Sequence, residues 1–212
     1  IILLVIIPIV TVISYIFQPS TELWDHLSEN LLIEYLSNTF IILIFVAIST
    51  LVIGISCAWL VTTFNFLGRD IFKWLLVMPI AIPTYVSAYI YAGLFEPSGM
   101  VFDSIENYLG LGKELYEVID MRNIYGVIFI LSICLYPYVY LRAYSSFKEQ
   151  SYCALEVGKS LGLNSRELFS KISIPLARPG IIAGISLVMM ETLAEFGRMD
   201  YYGISTFTTG IY

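Results

Sequence analysis

Five apolar stretches constrain this chain more than anything else in it: roughly Ile1–Phe17, Phe40–Phe64, Trp74–Phe95, Tyr125–Tyr140 and Gly180–Phe196. Each approaches the ~17–25 residues that cross a ~30 Å hydrocarbon core as an α-helix. Inside a bilayer no water is available to the backbone, so such runs satisfy their N–H and C=O groups within one helix. The two-residue alternation of a membrane β-barrel is missing. Composition agrees, with 58% hydrophobic and 13% charged residues and a mean hydropathy of +0.81, against about 45–50% apolar and about 25% charged in soluble domains. The fold class expected is all-α: a polytopic transmembrane helical bundle with five spans in a single domain over residues 1–212.

Basic residues sit on alternate connecting segments. Arg69 and Lys73 follow the second stretch, and Arg142, Lys148, Lys159, Arg166, Lys171 and Arg178 lie between the fourth and fifth. The other connectors are acidic: Glu22, Asp25, Glu29 and Glu34 in the first, and Glu96, Asp103, Glu106, Glu114, Glu117 and Asp120 against Lys113 and Arg122 in the third. The positive-inside rule makes the basic connectors cytoplasmic, with the N-terminus inside and Tyr212 outside. The net charge of −6 then reflects outward-facing acids, and the basic residues are explained by topology, so no nucleic-acid partner is implied. His26, without a companion His or Cys, reads as a solvated loop residue, and Cys57, Cys134 and Cys153 have neither a paired framework nor metal-ligand spacing. No metal site is assigned.

The chain opens without Met inside an apolar segment and stops at Tyr212 without a closing helix, so it reads as a fragment. No basic n-region or small-residue cleavage site precedes Gln18-Pro19. Ile1–Phe17 is therefore read as the remnant of a first membrane helix and not as a signal peptide.

A polar hairpin, residues 148–176, separates the last two apolar stretches. Ala154, Val157 and Leu161 recur at helical spacing, Gly162 suits the positive φ of a helix stop, and Asn164 with Glu167 forms a capping box for a second helix. That helix carries Leu168, Phe169 and Ile172 on one face and is expected to end before Pro175. Its apolar face has to be buried, in a groove on another protein or against the chain's own helix ends.

Two features inside the spans point to a transport path. Pro79 and Pro83 interrupt the third stretch, each removing a helix hydrogen bond, and a kink or broken turn follows; it serves either a pathway or static packing. Glu191 and Glu195 are the carboxylates embedded in the fifth stretch. At four residues apart they share a helical face, and Glu191 lies about 11 residues, or ~16 Å, beyond Gly180, past the midplane. An ionisable group there faces water or protein and suggests function; paired carboxylates could attract a hard cation. The run Tyr136-Pro137-Tyr138-Val139-Tyr140 is read as a headgroup-level aromatic anchor closing the fourth span.

The hairpin spacing, with Glu156, Gly162, Ile172 and Pro175 in register, resembles the E-A-A-x3-G-x9-I-x-L-P loop of binding-protein-dependent ABC importer permeases; Val157, Gly158 and Ile174 depart from it. The stretches 174–179, 190–197 and 200–212, with Ser20–Trp24 and Leu135–Tyr140, further resemble ferric-iron importer permeases, specifically the first half of a tandem fusion. Arg198 stands where that family is expected to carry a small or uncharged residue. The resemblance implies an inner-membrane permease that takes Fe3+ from a periplasmic solute-binding protein, with a second permease half, fused or separate, and a cytoplasmic ATPase dimer holding ATP and Mg2+. Glu156, Gly162, Leu168, Phe169, Ile172 and Pro175 would be the coupling element, and Glu191, Glu195, Pro79 and Pro83 the pathway. No Gly-rich phosphate loop followed by Lys and Ser/Thr occurs, so the chain itself is not expected to be an enzyme or to bind a cofactor. A permease of the same superfamily carrying a polyamine, thiamine or sulfate would keep the hairpin. A proton-coupled secondary transporter would account for the acids but not for the spacing.

Overall fold

The computed structural model describes residues 31–95, 99–109, 122–150 and 152–211, with positions 6, 7, 10, 11 and 14; side chains at 152–155 are outside that description. The expectations for most of Ile1–Phe17, for His26, for Ser20–Trp24, for the acids between Glu114 and Asp120, and for the Cys153 side chain lie outside the described residues.

Among the described residues the regular elements are all helical. Three helices are long and apolar enough to cross a membrane: α1 (Leu32–Thr63), α5 (Ile124–Glu149), and the continuous helical stretch Ser165–Ala194. The remaining elements are α2 (Arg69–Leu75), a 3-10 turn at Met78–Ala81, α3 (Thr84–Leu94), α4 (Met100–Leu109), α6 (Tyr152–Ser160), α7 (Ser165–Leu168), a π turn at Phe169–Ser173, α8 (Ile174–Ala194), α9 (Gly197–Tyr201) and α10 (Phe207–Ile211). At 32 residues α1 is ~48 Å long, beyond the ~30 Å of hydrocarbon, and projects past it.

The third apolar stretch does not form one helix. The chain bends by 102° between Arg69–Ala81 and Tyr85–Leu94. Pro79 lies in the 3-10 turn, and Pro83, at φ −55 and ψ 144, serves as the N-cap of α3. Each proline lacks the N–H that would continue the ladder, and the extended conformation before α3 completes the break. The described residues thus contain three continuous spans, or four if the bent pair counts as one.

α5 is the central helix. Its N-terminus is capped by Asn123, whose Oδ1 accepts from the N–H groups of Tyr125 and Gly126 at 2.9 and 3.0 Å. α1 and α8 both pack closely against Val139: a β-carbon on Gly54 would lie 2.8 Å from the Val139 Cβ, and one on Gly184 would lie 2.9 Å from its Cα. Without water to drive helices together in lipid, such close approach of backbones is what holds a bundle. Ile42, Val46, Val127, Ile130, Leu131 and Val188 fill the adjoining core.

The tyrosine run on α5 departs from the sequence expectation. The helix continues to Glu149, and Tyr136, Val139 and Tyr140 are buried. The Tyr140 hydroxyl donates to the carbonyl of Lys73 at 3.2 Å. This segment is core and not a headgroup anchor, because α1, α8 and the 3-10 turn close over it.

Candidate functional site

The hairpin is built by local chemistry at every step. α6 stops at Gly162, whose φ is +81. The Gly162 N–H donates to Lys159 O at 2.9 Å and the Leu163 N–H to Gly158 O at 3.1 Å, the paired bonds of a Schellman stop. Asn164 then opens the next helix. Its Oδ1 accepts from the Glu167 N–H at 3.0 Å, and Glu167 Oε2 accepts from the Asn164 N–H at 3.1 Å, a reciprocal capping box.

The two arms close on Gly158. A β-carbon there would lie 2.5 Å from Leu168 Cδ2 and 2.7 Å from Ile172 Cδ1, so glycine is what lets the second arm settle on the first. Phe169 reaches the membrane bundle instead: its ring lies 5.0 Å from Trp59 of α1, which meets Phe147 of α5 edge-on at 5.6 Å. Leu168 is therefore buried, and Phe169 and Ile172 half-buried, against the chain's own elements. Val157 and Leu161, by contrast, are 57% and 77% exposed. Those two apolar side chains are what the hairpin presents outward, beside the exposed Glu156.

The second arm does not end before Pro175, which corrects the sequence reading. It runs through Pro175 and Pro179 into the last span, so that Ser165–Ala194 is one helical stretch of 30 residues. The π turn explains how: the Ile174 N–H donates to Phe169 O, five residues back, and the widened ladder accommodates a proline that has no N–H to give. Gln150 Nε2, at the end of α5, donates to the Ser173 carbonyl at 2.8 Å and pins this turn. The Ser173 hydroxyl is buried without a hydrogen-bond partner among the described residues.

The paired-carboxylate reading of Glu191 and Glu195 is also corrected. α8 ends at Ala194 with Glu195 as its C-cap, at φ −75 and ψ 114, and the two acids have different surroundings: Glu195 is buried and Glu191 exposed. Glu195 is 7% exposed, and its Oε2 meets Arg198 Nη1 at 3.2 Å. Its Oε1 accepts from the Arg198 N–H at 3.1 Å, and Arg198 Nε donates to Ser87 Oγ of α3 at 3.2 Å. Thr208 Oγ1 donates to the Glu195 carbonyl at 3.2 Å, and Tyr202 donates to Ala88 O at 3.1 Å. The segment after α8 is thus tied to the broken third stretch by the hydrogen bonds of Arg198 to Ser87 and of Tyr202 to Ala88, with the Glu195–Arg198 ion pair buried beside them. Glu191 remains exposed, near the Tyr138 side chain of α5.

Pro79 and Pro83 stand at the 102° bend, on a different part of the fold from Glu191. Among the described residues no three His, Cys, Asp or Glu side chains come together as metal ligands. Sequence reasoning missed Ser87, Gln150 and Tyr138 as partners. It registered Arg198 only as an oddity, although a cation three residues after an acid in an apolar setting is the signature of a local ion pair.

Helices long and apolar enough to span a membrane, with a capped polar hairpin continuous with the last of them, define a polytopic membrane protein. The chain belongs to the family of binding-protein-dependent transport system inner membrane components, whose pattern matches residues 50–210. It is 26% identical over 216 residues to an Fe(3+)-transport system permease protein of Haemophilus influenzae, covering all of this chain and 38% of that protein. It is 29% identical over 185 residues to the spermidine/putrescine transport system permease protein of Escherichia coli, covering 85% of this chain and 64% of that protein. The sulfate transport system permease protein of Escherichia coli is 22% identical over 200 residues, with coverage of 94% and 69%. This is a permease of the inner membrane, of the ABC importer type; the proton-relay reading falls away with that membership.

Proposed function

We propose that this chain forms one transmembrane half of an ATP-driven importer and that residues 148–176 receive force from a cytoplasmic ATPase dimer, which carries ATP and Mg2+. The carrying observation is mechanical. The second arm of the hairpin and the last span are one 30-residue helical stretch, ~45 Å long, so displacement at Asn164 is delivered to Glu191 without a flexible joint other than the π turn. Gly162 sets the angle of the lever, Leu168, Phe169 and Ile172 seat it, and Glu156, Val157 and Leu161 form the outward contact. Lys and Arg on the hairpin side support a cytoplasmic hairpin and an N-terminus inside. A periplasmic solute-binding protein and a second permease half complete the assembly in this reading.

For the solute we propose a cation, Fe3+ first, supported by the iron-permease resemblance of residues 190–197 and 200–212 and by the exposed Glu191 carboxylate on α8. A polyamine is the second reading, favoured by the 29% identity to the spermidine/putrescine permease and by the same carboxylate. The test is reconstitution of the full permease with its ATPase. Gly162→Val places a β-branched residue at φ +81, which costs about 1–2 kcal/mol locally. ATPase assembly or transport-stimulated hydrolysis is expected to fall; wild-type values of both, with transport lost, would reject the hairpin as the coupling element.

A further inference from the structure

A cavity of about 420 Å3 opens where α1 and α5 leave the membrane and α6 begins. Its size lies within the ~300–1,000 Å3 of small-molecule and headgroup sites. The aromatic wall is Trp59 and Tyr144, and the charged rim is Arg69, Lys148, Lys159 and Glu156. Three cations against one carboxylate leave a formal excess of two positive charges.

The cations differ in what they already do. Arg69 is committed in part: its Nε donates to Val61 O at 2.6 Å and its Nη1 to Asn65 Oδ1 at 2.6 Å, closing the C-terminus of α1. That holds its charge at a fixed place on the rim. Lys148 and Lys159 are exposed, on two different helices, and neither forms an ion pair among the described residues. Glu156 is one helical turn from Lys159 without pairing to it. Trp59 is held by Phe147 and Phe169, so the wall is rigid.

We infer that this cavity binds a phosphate-bearing anion, with Lys148 and Lys159 closing on the phosphate from two sides and the Trp59–Tyr144 wall carrying the apolar part of the ligand. Basic clefts at the boundary between spans and water have the charge and depth to take a phospholipid headgroup, and a soluble phosphate compound offers the same chemistry. The site adjoins the outward face of the hairpin, sharing Glu156 with it, and does not depend on the solute carried.

The test uses the full-length permease in neutral detergent, titrated with phosphatidylglycerol, with phosphatidylcholine as reference and inorganic phosphate in a parallel arm. The readout is hydrogen–deuterium exchange of peptides covering residues 144–150 and 156–163. Saturable protection by phosphatidylglycerol but not phosphatidylcholine is expected. Lys148→Gln with Lys159→Gln should shift half-saturation to about tenfold higher concentration or beyond, and Lys148→Arg with Lys159→Arg should restore it. Equal protection by inorganic phosphate alone supports the site and assigns it to soluble phosphates. No protection by either ligand, or an unchanged midpoint in the double Gln variant at matched melting temperature, overturns the inference.

Discussion

Arg198→Met is the substitution with the largest consequence that the structure foresees. The side chain of Arg198 is 2% exposed and that of Glu195 is 7% exposed, with 3.2 Å between their charged atoms. Removing the guanidinium leaves a buried carboxylate without its counter-charge at the end of α8, and removes the contact to Ser87 as well. Breaking one side of a buried pair costs about 3–5 kcal/mol, most of it the uncompensated charge. At roughly 2–4 °C per kcal/mol for a domain of this size, the melting temperature should fall by about 10 °C. Glu195→Gln combined with Arg198→Met removes the charge together with its partner and should recover much of that loss, because the cost lies in the imbalance. The assay is thermal unfolding of the purified permease followed by a thiol-reactive dye, for which the buried Cys134 is a native reporter. If the double variant melts as low as the sum of the two single variants predicts, the two side chains are not coupled, and the uncompensated charge as the source of the cost is refuted.

Glu191→Gln, which keeps shape and removes charge, should lower uptake of a cationic solute several-fold at matched membrane abundance; unchanged uptake of iron and of spermidine would exclude this carboxylate from the path. Glu195→Gln is expected to act chiefly on stability, so its melting temperature should fall further than that of Glu191→Gln. Asn164→Ala removes the cap of the lever and should cost about 1 kcal/mol, read as faster amide exchange over residues 165–168; equal exchange would show that the arm is held by packing on Gly158 alone. For topology, Asn107→Cys and Ser165→Cys, in a background without native cysteines, should react with an impermeant thiol reagent in intact cells at the first position only. Labelling of Ser165→Cys from outside would invert the orientation and detach the hairpin from ATP.

What could be read from the residues in order was whatever depends on neighbours a few positions apart. The Gly162 stop and the Asn164–Glu167 box are made by bonds spanning three to five residues, and the break at Pro79 and Pro83 follows from a missing N–H in the local ladder. Helix existence follows likewise, since a bilayer forces backbone satisfaction within each span. The ends of the helices were less accessible. Pro175 should have stopped the second arm, and only the π turn, pinned by Gln150 from the end of α5, carries the helix through it.

The rest was decided by residues far apart in the chain. In lipid an apolar side chain is equally at home against protein or acyl chains, so periodicity cannot separate the core from the outer surface. Hence Tyr136 and Tyr140 looked like interfacial anchors and are buried. Glu195 is the sharpest case. Four residues after Glu191 it reads as half of an acid pair, but it is buried against Arg198, which in turn donates to Ser87, 111 positions away from that arginine. A buried charge goes where its partner is, and that partner's position is a property of the packed bundle.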